Sequence, residues 1–141
     1  MRLGFRKKAV EATAPTRIDL AGGTLDIWPL YLFHPGAVTV NCAIDRRAWC
    51  RVETGVEGVR IESRDTLRKA EGKDVTEILG AGELELVAFI LRALGIESGV
   101  KVTTQSKVPS GSGLGGSSAG LPKSAVALEQ VRRQASGKEG V

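Results

Sequence analysis

Two stretches of the sequence gather residue types that do chemistry. The first is Val108-Pro-Ser-Gly-Ser-Gly-Leu-Gly-Gly-Ser-Ser-Ala119, in which nine of the ten residues from Ser110 to Ala119, all but Leu114, are Gly, Ser or Ala. Glycine tolerates positive φ and puts no side chain in the way, so such a loop turns successive backbone N–H groups toward one point. With a helix after it, the helix's free N–H groups add a positive end, and the whole forms a cradle suited to phosphate. The hydroxyls of Ser117 and Ser118 are available to a phosphate oxygen or to Mg²⁺. No Gly-Lys-Ser/Thr is present, which excludes a Walker-type loop, and the segment does not open a Rossmann unit. A flexible Gly/Ser linker is the competing reading, but a linker has no need of Pro109, Leu114 and Ala119.

The second stretch is Ala14-Pro-Thr-Arg-Ile-Asp-Leu-Ala-Gly-Gly-Thr-Leu-Asp-Ile-Trp-Pro-Leu30. It sets Arg17, Asp19, Thr24 and Asp26 around the glycine pair Gly22-Gly23. A hydroxyl-rich ligand suits this set: carboxylates accept hydrogen bonds from hydroxyls, an arginine fixes their geometry, and glycines let the ligand approach the backbone. A structural turn held by an Arg–Asp pair is the alternative.

Elements must position these residues. Residues 8–14 alternate and predict a strand ending at Pro15, and 37–53 predict two β segments. Val56–Glu62 predicts another strand, with Gly55 and Gly58 as turn residues. The polar run from Ser63 to Gly82 is expected to hold a loop and one short helix. Apolar residues at 84, 86, 87, 90, 91 and 94 predict a helix over Glu83–Leu94, stopped by Gly95. Val100–Gln105 predicts a strand leading into the glycine-rich segment. Without strict βαβ alternation the fold class is α+β.

Composition narrows the function classes. The 141 residues suit one domain, and no apolar run approaches the ~20 residues of a membrane span. The basic start has no apolar core behind it, so no secretion signal is read and a cytoplasmic location is the default. Of the 20 basic residues, four lie in residues 1–10 and four in 122–141; the body from 11 to 121 has 12 basic and 14 acidic groups. The net charge of +4 therefore belongs to the ends. With six aromatic residues in all, stacking-based nucleic-acid binding is not indicated. Cys42 and Cys50 form neither a zinc spacing nor a disulfide framework and are expected as buried free thiols in a reducing compartment. His34 sits in a predicted His34-Pro35-Gly36 turn and is given no chemical role.

Together the two stretches resemble the GHMP kinase superfamily of galactokinase, homoserine kinase, mevalonate kinase and phosphomevalonate kinase. Val108–Ala119 resembles its ATP-binding motif Pro-x-Gly-x-Gly-Leu-Gly-Ser-Ser-Ala, with Gly116 where a serine is common. Thr16–Ile27 resembles its substrate motif. There Gly23-Thr24 replaces the Glu-His of galactokinases, and Arg-Ile-Asp-Leu-Ala-Gly-Gly-Thr-x-Asp is closer to the heptose-phosphate and fucose kinase branch. The resemblance covers about residues 9–119. It implies a mixed sheet with helices on one face, like domain 2 of ribosomal protein S5. It also implies transfer of the ATP γ-phosphoryl group to a hydroxyl of a sugar or sugar phosphate, with positioning and charge neutralisation as the main work.

On that resemblance, Pro109, Ser110, Gly111, Ser112, Gly113, Leu114, Gly115, Gly116, Ser117 and Ser118 would hold the triphosphate, with Ser117 beside Mg²⁺. Arg17 would orient the attacking oxygen or the base beside it, Asp26 would bind a sugar hydroxyl, and Asp19, Gly23 and Thr24 would complete the acceptor site. Family members also place a catalytic aspartate well after the glycine-rich loop, and a third glycine-rich motif in a C-terminal domain. Here no aspartate follows Asp74. The expectation is a single N-terminal domain over 1–141, with an atypical tail from 120 and a C-terminal lobe missing. Asp26 is then the only substitute base, and catalysis alone is weak or absent. Pro122 predicts that the following helix starts near Leu121, with Ala125, Leu128, Val131 and Ala135 on one face. The face that a second lobe would meet is expected to be exposed, apolar and available to a partner chain, including a second copy. RNA binding through the S5-like fold is the weakest reading.

Overall fold

The structure is a computed structural model, and it describes residues 7–23, 25, 28–80, 82–107, 125, 127–130 and 133. Its frame is a five-stranded sheet with the order β1-β2-β5-β3-β4, built from β1 (Ala9–Ala21), β2 (Val40–Thr54), β3 (Val59–Ser63), β4 (Arg68–Gly72) and β5 (Val100–Ser106). All neighbours run antiparallel except β3 and β5, which are parallel. Three helices join them: α1 (Leu30–Phe33), α2 (Val75–Ile78) and α3 (Glu85–Ala93), the last entered through a 3-10 turn at Gly82–Leu84. Residues 125, 127–130 and 133 are helical as well. The expected α+β fold, a mixed sheet with helices on one face, is what the chain adopts.

Alternation along the strands sets the layers. Cys50, Val52, Val59, Ile61, Val100 and Val102 point to one face. There they meet Val75 and Ile78 of α2, Val87, Ala88 and Leu91 of α3, and Ala127 and Leu128. Burying a residue such as Leu91 is worth about 1.5–3 kcal/mol, and this layer is the core. The opposite face is charged and internally paired. Arg51 bridges Glu11 and Glu53 at 3.1 Å each, and Glu62 sits 3.5 Å from both Lys69 and Lys101. Desolvation on the sheet pushes the Glu62 carboxyl up, but the attraction and hydrogen bonds of Lys69 and Lys101 together outweigh it and hold that carboxyl below its ordinary range.

Several elements differ from the sequence reading, each for a physical reason. β1 does not stop at Pro15 but runs through it to Ala21. Proline lacks a donor, yet β1 is an edge strand and the register slips between Pro15 and Thr16, so no ladder bond is lost. The slip is a bulge opposite Thr16, whose buried hydroxyl donates to the Arg46 carbonyl at 2.7 Å. The predicted pair of segments over 37–53 is one long strand, β2, whose register with β1 shifts at that bulge and again between Asp19 and Ala21. β4 was hidden in the polar run because Arg68, Lys69 and Glu71 make it a short, charged edge. α2 does supply the short helix expected there, capped by the Asp74 carboxylate, which accepts from the amides of Thr76 at 2.8 Å and Glu77 at 3.2 Å. α3 is the predicted amphipathic helix, and Gly95 follows it at φ +70°. Of the two thiols, Cys50 is buried as expected but Cys42 is exposed, because it lies on the part of β2 beyond the helical layer.

Candidate functional site

The first motif rides on the last third of β1. Arg17 and Asp19 are two residues apart on a strand, so their side chains project to the same side, and Arg17 Nε lies 3.2 Å from Asp19 Oδ1. The chain then turns. The Gly22 carbonyl accepts from the Leu25 amide at 3.0 Å and from the Thr39 hydroxyl at 3.1 Å. A Cβ on Gly23 would stand 2.9 Å from Asp19 Cβ and 3.0 Å from Asp19 Oδ2. Only a glycine leaves room for the carboxylate there. The geometry thus brings Arg17, Asp19 and Gly23 together: one carboxylate oxygen is held by the guanidinium and the other faces the glycine turn. Thr24 and Asp26, the other two residues assigned to this site, lie outside the described residues.

The glycine-rich segment, Pro109 to Ser118, also lies outside the described residues, as does the expected helix start near Leu121. What the described residues do fix is where the segment leaves the sheet. Ala14 of β1 pairs with Ala48 of β2, and Ala48 pairs with Ser106 at the end of β5. The Lys107 amide donates to the Arg47 carbonyl at 3.2 Å, and Arg47 pairs with Pro15. Strands lie about 4.8 Å apart, so β5 ends about 10 Å from the strand that carries Arg17 and Asp19. On the far side of the segment, Ala127 and Leu128 are fully buried in the core.

Charge separates the two ends of the sheet. Around the end of β5 the described chain places Arg17, Arg46, Arg47, Arg64 and Lys107, with Asp19, Asp45 and Asp65 among them. Arg47 donates to the Thr13 hydroxyl at 3.2 Å, and the Arg64 guanidinium sits 5.0 Å over the Trp49 ring. At the other end, where β5 begins, an open cleft of about 860 Å³ is lined by Glu57, Glu71, Asp74, Glu77 and Glu97, with Arg60 and Lys73. Two of those carboxylates are committed to the α2 cap, since Glu77 accepts from the Lys73 amide at 2.7 Å and Asp74 holds the helix start. An acidic cleft repels a triphosphate, so this cleft is not the phosphate site. Among the described residues no group of three or more His, Cys, Asp or Glu side chains gathers to hold a metal. No helix among them is long and apolar enough to cross a membrane.

Sequence reasoning missed Thr39 and the bulge at Arg46, which hold the first motif in place. Thr39 gave no signal because a threonine before a strand reads only as β propensity.

The comparisons with known proteins agree with the motif reading. Residues 83–138 match the family model described as the GHMP kinases N terminal domain. That match runs beyond Ala119, farther than the resemblance carried by the motifs, and takes in most of the tail expected to be atypical. No curated protein matches the chain. Among solved structures, a D-glycero-D-manno-heptose 1-phosphate kinase from Bacteriodes thetaiotaomicron superposes with a TM-score of 0.69 at 24% identity, over 94% of this chain and 49% of its own. The Methanococcus jannaschii mevalonate kinase gives 0.64 at 18% identity, over 95% and 42%. A sugar kinase structure from Campylobacter jejuni, named as putative, gives 0.59 at 23% identity, over 94% and 45%. The chain spans half or less of the length of each. Likeness at these identities establishes the fold.

Proposed function

From a chain whose residues 83–138 match the GHMP kinases N terminal domain and whose fold is similar to that of a heptose 1-phosphate kinase, we propose that it is the ATP-binding part of a small-molecule kinase acting on a sugar or sugar phosphate. The observation that carries this reading is the juxtaposition at one end of the sheet. A glycine-rich segment leaves β5 two strands away from a carboxylate already oriented by an arginine. In the reaction the acceptor hydroxyl oxygen bonds to the γ-phosphorus, the bond to the β–γ bridging oxygen breaks, the hydroxyl proton passes to a base, and ADP leaves.

Each residue then has a part. The amides of Ser110–Ser118, entered through Pro109, cradle the triphosphate, and the Ser117 hydroxyl, a hard oxygen donor, suits Mg²⁺. Mg²⁺ when bound neutralises charge on the phosphates. Asp19, held by Arg17 and seated against Gly23, accepts from an acceptor hydroxyl, and Thr24 and Asp26 extend the same site. Arg17 also reaches the attacking oxygen or the base beside it, and Asp26 is the carboxylate in this chain that would serve as that base. The kinase activity of the whole protein is part of this proposal. A reducing, cytoplasmic setting fits the free Cys42 and Cys50.

Mg-ATP titrated into the wild type and into the Gly113→Val, Ser117→Ala double variant tests the nucleotide site, with circular dichroism to confirm that both fold. Binding by the wild type, weakened about tenfold or more in the variant, is expected. Equal affinity, or no binding by either, refutes the reading. A second reading, self-association, is favoured by one observation: α1 is wholly apolar and none of its residues is buried.

A further inference from the structure

The chain contains a single asparagine, Asn41, and it stands in a strand, β2. Asparagine is depleted in strands. It is ordinarily kept where its side chain bonds a nearby turn or where the backbone needs the left-handed region. Neither holds for Asn41. Leu67 is the only non-glycine among the described residues with a positive φ. Asn41 is exposed, and among the described residues its carboxamide has no hydrogen-bond partner. The fold thus carries a poor strand former that does nothing for the fold.

The strand register gives the residue a place. Asn41 is the partner of Asp19 across the β1–β2 ladder, and Ala43 is the partner of Arg17. Residues directly opposite on antiparallel strands share a face, with Cβ atoms about 4.5–5.5 Å apart. Thr16, buried, and Ile18, half-buried, alternate to the other face. Arg17, Asp19, Asn41 and Ala43 therefore make a four-cornered patch on the side of the sheet away from the helices. Ala43 is small and leaves the space beside Arg17 open. The corner at Asn41 is fixed from below, because the Thr39 hydroxyl two residues earlier donates to the Gly22 carbonyl at 3.1 Å.

The hydrogen-bonding capacities of the corners differ. Arg17 only donates and Asp19 only accepts, and the two already lie 3.2 Å apart. The Asn41 carboxamide both donates and accepts, as a hydroxyl does. Two polar groups facing each other across one strand spacing reach hydroxyls on neighbouring carbons, not groups at opposite ends of a ligand. We infer that Asn41 is a further acceptor-binding residue and that the acceptor presents a vicinal diol, one hydroxyl to Asp19 and the adjacent hydroxyl to Asn41. This rests on the reading of Arg17 and Asp19 as an acceptor site, and it narrows the acceptor class, since an alcohol with one hydroxyl leaves the carboxamide unused.

The full chain labelled with ¹⁵N on the asparagine side-chain amide tests the inference, because Asn41 alone gives that signal. The probes are D-mannose, D-glucose, D-galactose and their 1-phosphates at millimolar concentration. At least one probe is expected to bind and to shift the Asn41 amide pair. Asn41→Val and Asp19→Asn should each weaken that binding about five- to tenfold. Valine is a good strand former, so Asn41→Val should melt no lower than the wild type; a lower midpoint marks a structural role and overturns the inference. Among monodeoxy forms of the bound sugar, the one that Asn41→Val and the wild type bind alike should lack a hydroxyl next to the one read by Asp19→Asn. Positions that are not adjacent overturn the diol. Binding that leaves the Asn41 amide unmoved, or that Asn41→Val does not weaken, overturns the role of Asn41, and if Asp19→Asn still weakens it the acceptor-site reading stands. No binding of any probe by the wild type sinks both.

Discussion

Gly22 is the joint that ties the Arg17–Asp19 motif to the start of β2, and replacing it by alanine measures how tight that joint is. Its φ is +76°, and a Cβ there would lie 2.3 Å from the Val38 carbonyl oxygen. Gly36 supplies the internal control: its φ is +86°, and a Cβ there meets nothing within 4 Å. Both alanine variants bear the cost of an L side chain in the left-handed region, about 1–2 kcal/mol. Gly22→Ala alone adds a collision with backbone more than about 1 Å inside ordinary contact. Residues 38 and 39 must retreat, and the bond from the Thr39 hydroxyl to the Gly22 carbonyl goes with them, at about 1 kcal/mol. The expected losses are therefore about 1–2 kcal/mol for Gly36→Ala and about 3 kcal/mol or more for Gly22→Ala. At about 4 °C per kcal/mol for a domain of this size, the thermal midpoint falls by about 4–8 °C in the first case and by about 12 °C in the second. Melting curves followed by circular dichroism read both. Equal drops would show that residues 38 and 39 do not rest on Gly22, and the described seat for Asp19 would fail with them.

Two further outcomes follow from the sheet and its core. Glu62 has a folded-state pKa below its unfolded value, so its stabilising effect is present above the unfolded pKa, near 4.3, and is lost as pH falls through the folded one. Glu62→Gln should flatten the fall in urea midpoint on acidification below about pH 5, and salt at about 1 M should do the same; an unchanged acid slope refutes the pairing with Lys69 and Lys101. Leu91 is fully buried against the sheet, so Leu91→Ala should cost about 2–5 kcal/mol in urea unfolding. On the same helix Leu86→Ala, at a residue 52% exposed, should cost well under that. Similar losses at both positions would mean that α3 is rotated from the face described.

What could be read from the sequence divides along lines of local signal. α3 and β5 were legible because each carries its own period and its own stop, Gly95 after the helix and the glycine-rich run after the strand. β4 was not, because an edge strand of Arg68, Lys69, Ala70, Glu71 and Gly72 is held by its pairing with β3 and has no apolar alternation to betray it. Pro15 misled for a related reason. Proline ends a strand only where its missing donor is needed, and whether β1 lies at an edge is a fact of topology, invisible in the local sequence. The association of Arg17, Asp19 and Gly23 was legible as a list of residue types. The contact that organises them, a carboxylate seated where a Cβ would otherwise be, rests on Gly22 taking positive φ and on Thr39 arriving from the next strand.

The charge distribution explains why a nearly balanced body can still favour an anionic ligand at one place. Most of the acids and bases of the sheet cancel across strands, as Glu11, Arg51 and Glu53 do, and as Glu62 does with Lys69 and Lys101. The carboxylates of Glu57, Glu71, Asp74, Glu77 and Glu97 collect where β5 begins. Arg46, Arg47, Arg64 and Lys107 stand where it ends, and there the Arg64 and Lys107 amides donate to the Thr104 and Arg47 carbonyls. A sheet whose charges largely cancel is thus weighted along β5, and the end of β5 that leads to the glycine-rich segment is the more basic one, although Asp45 and Asp65 stand there too. Potentials of this kind steer anions and fall with ionic strength. Nucleotide binding at this end should therefore weaken as salt is raised.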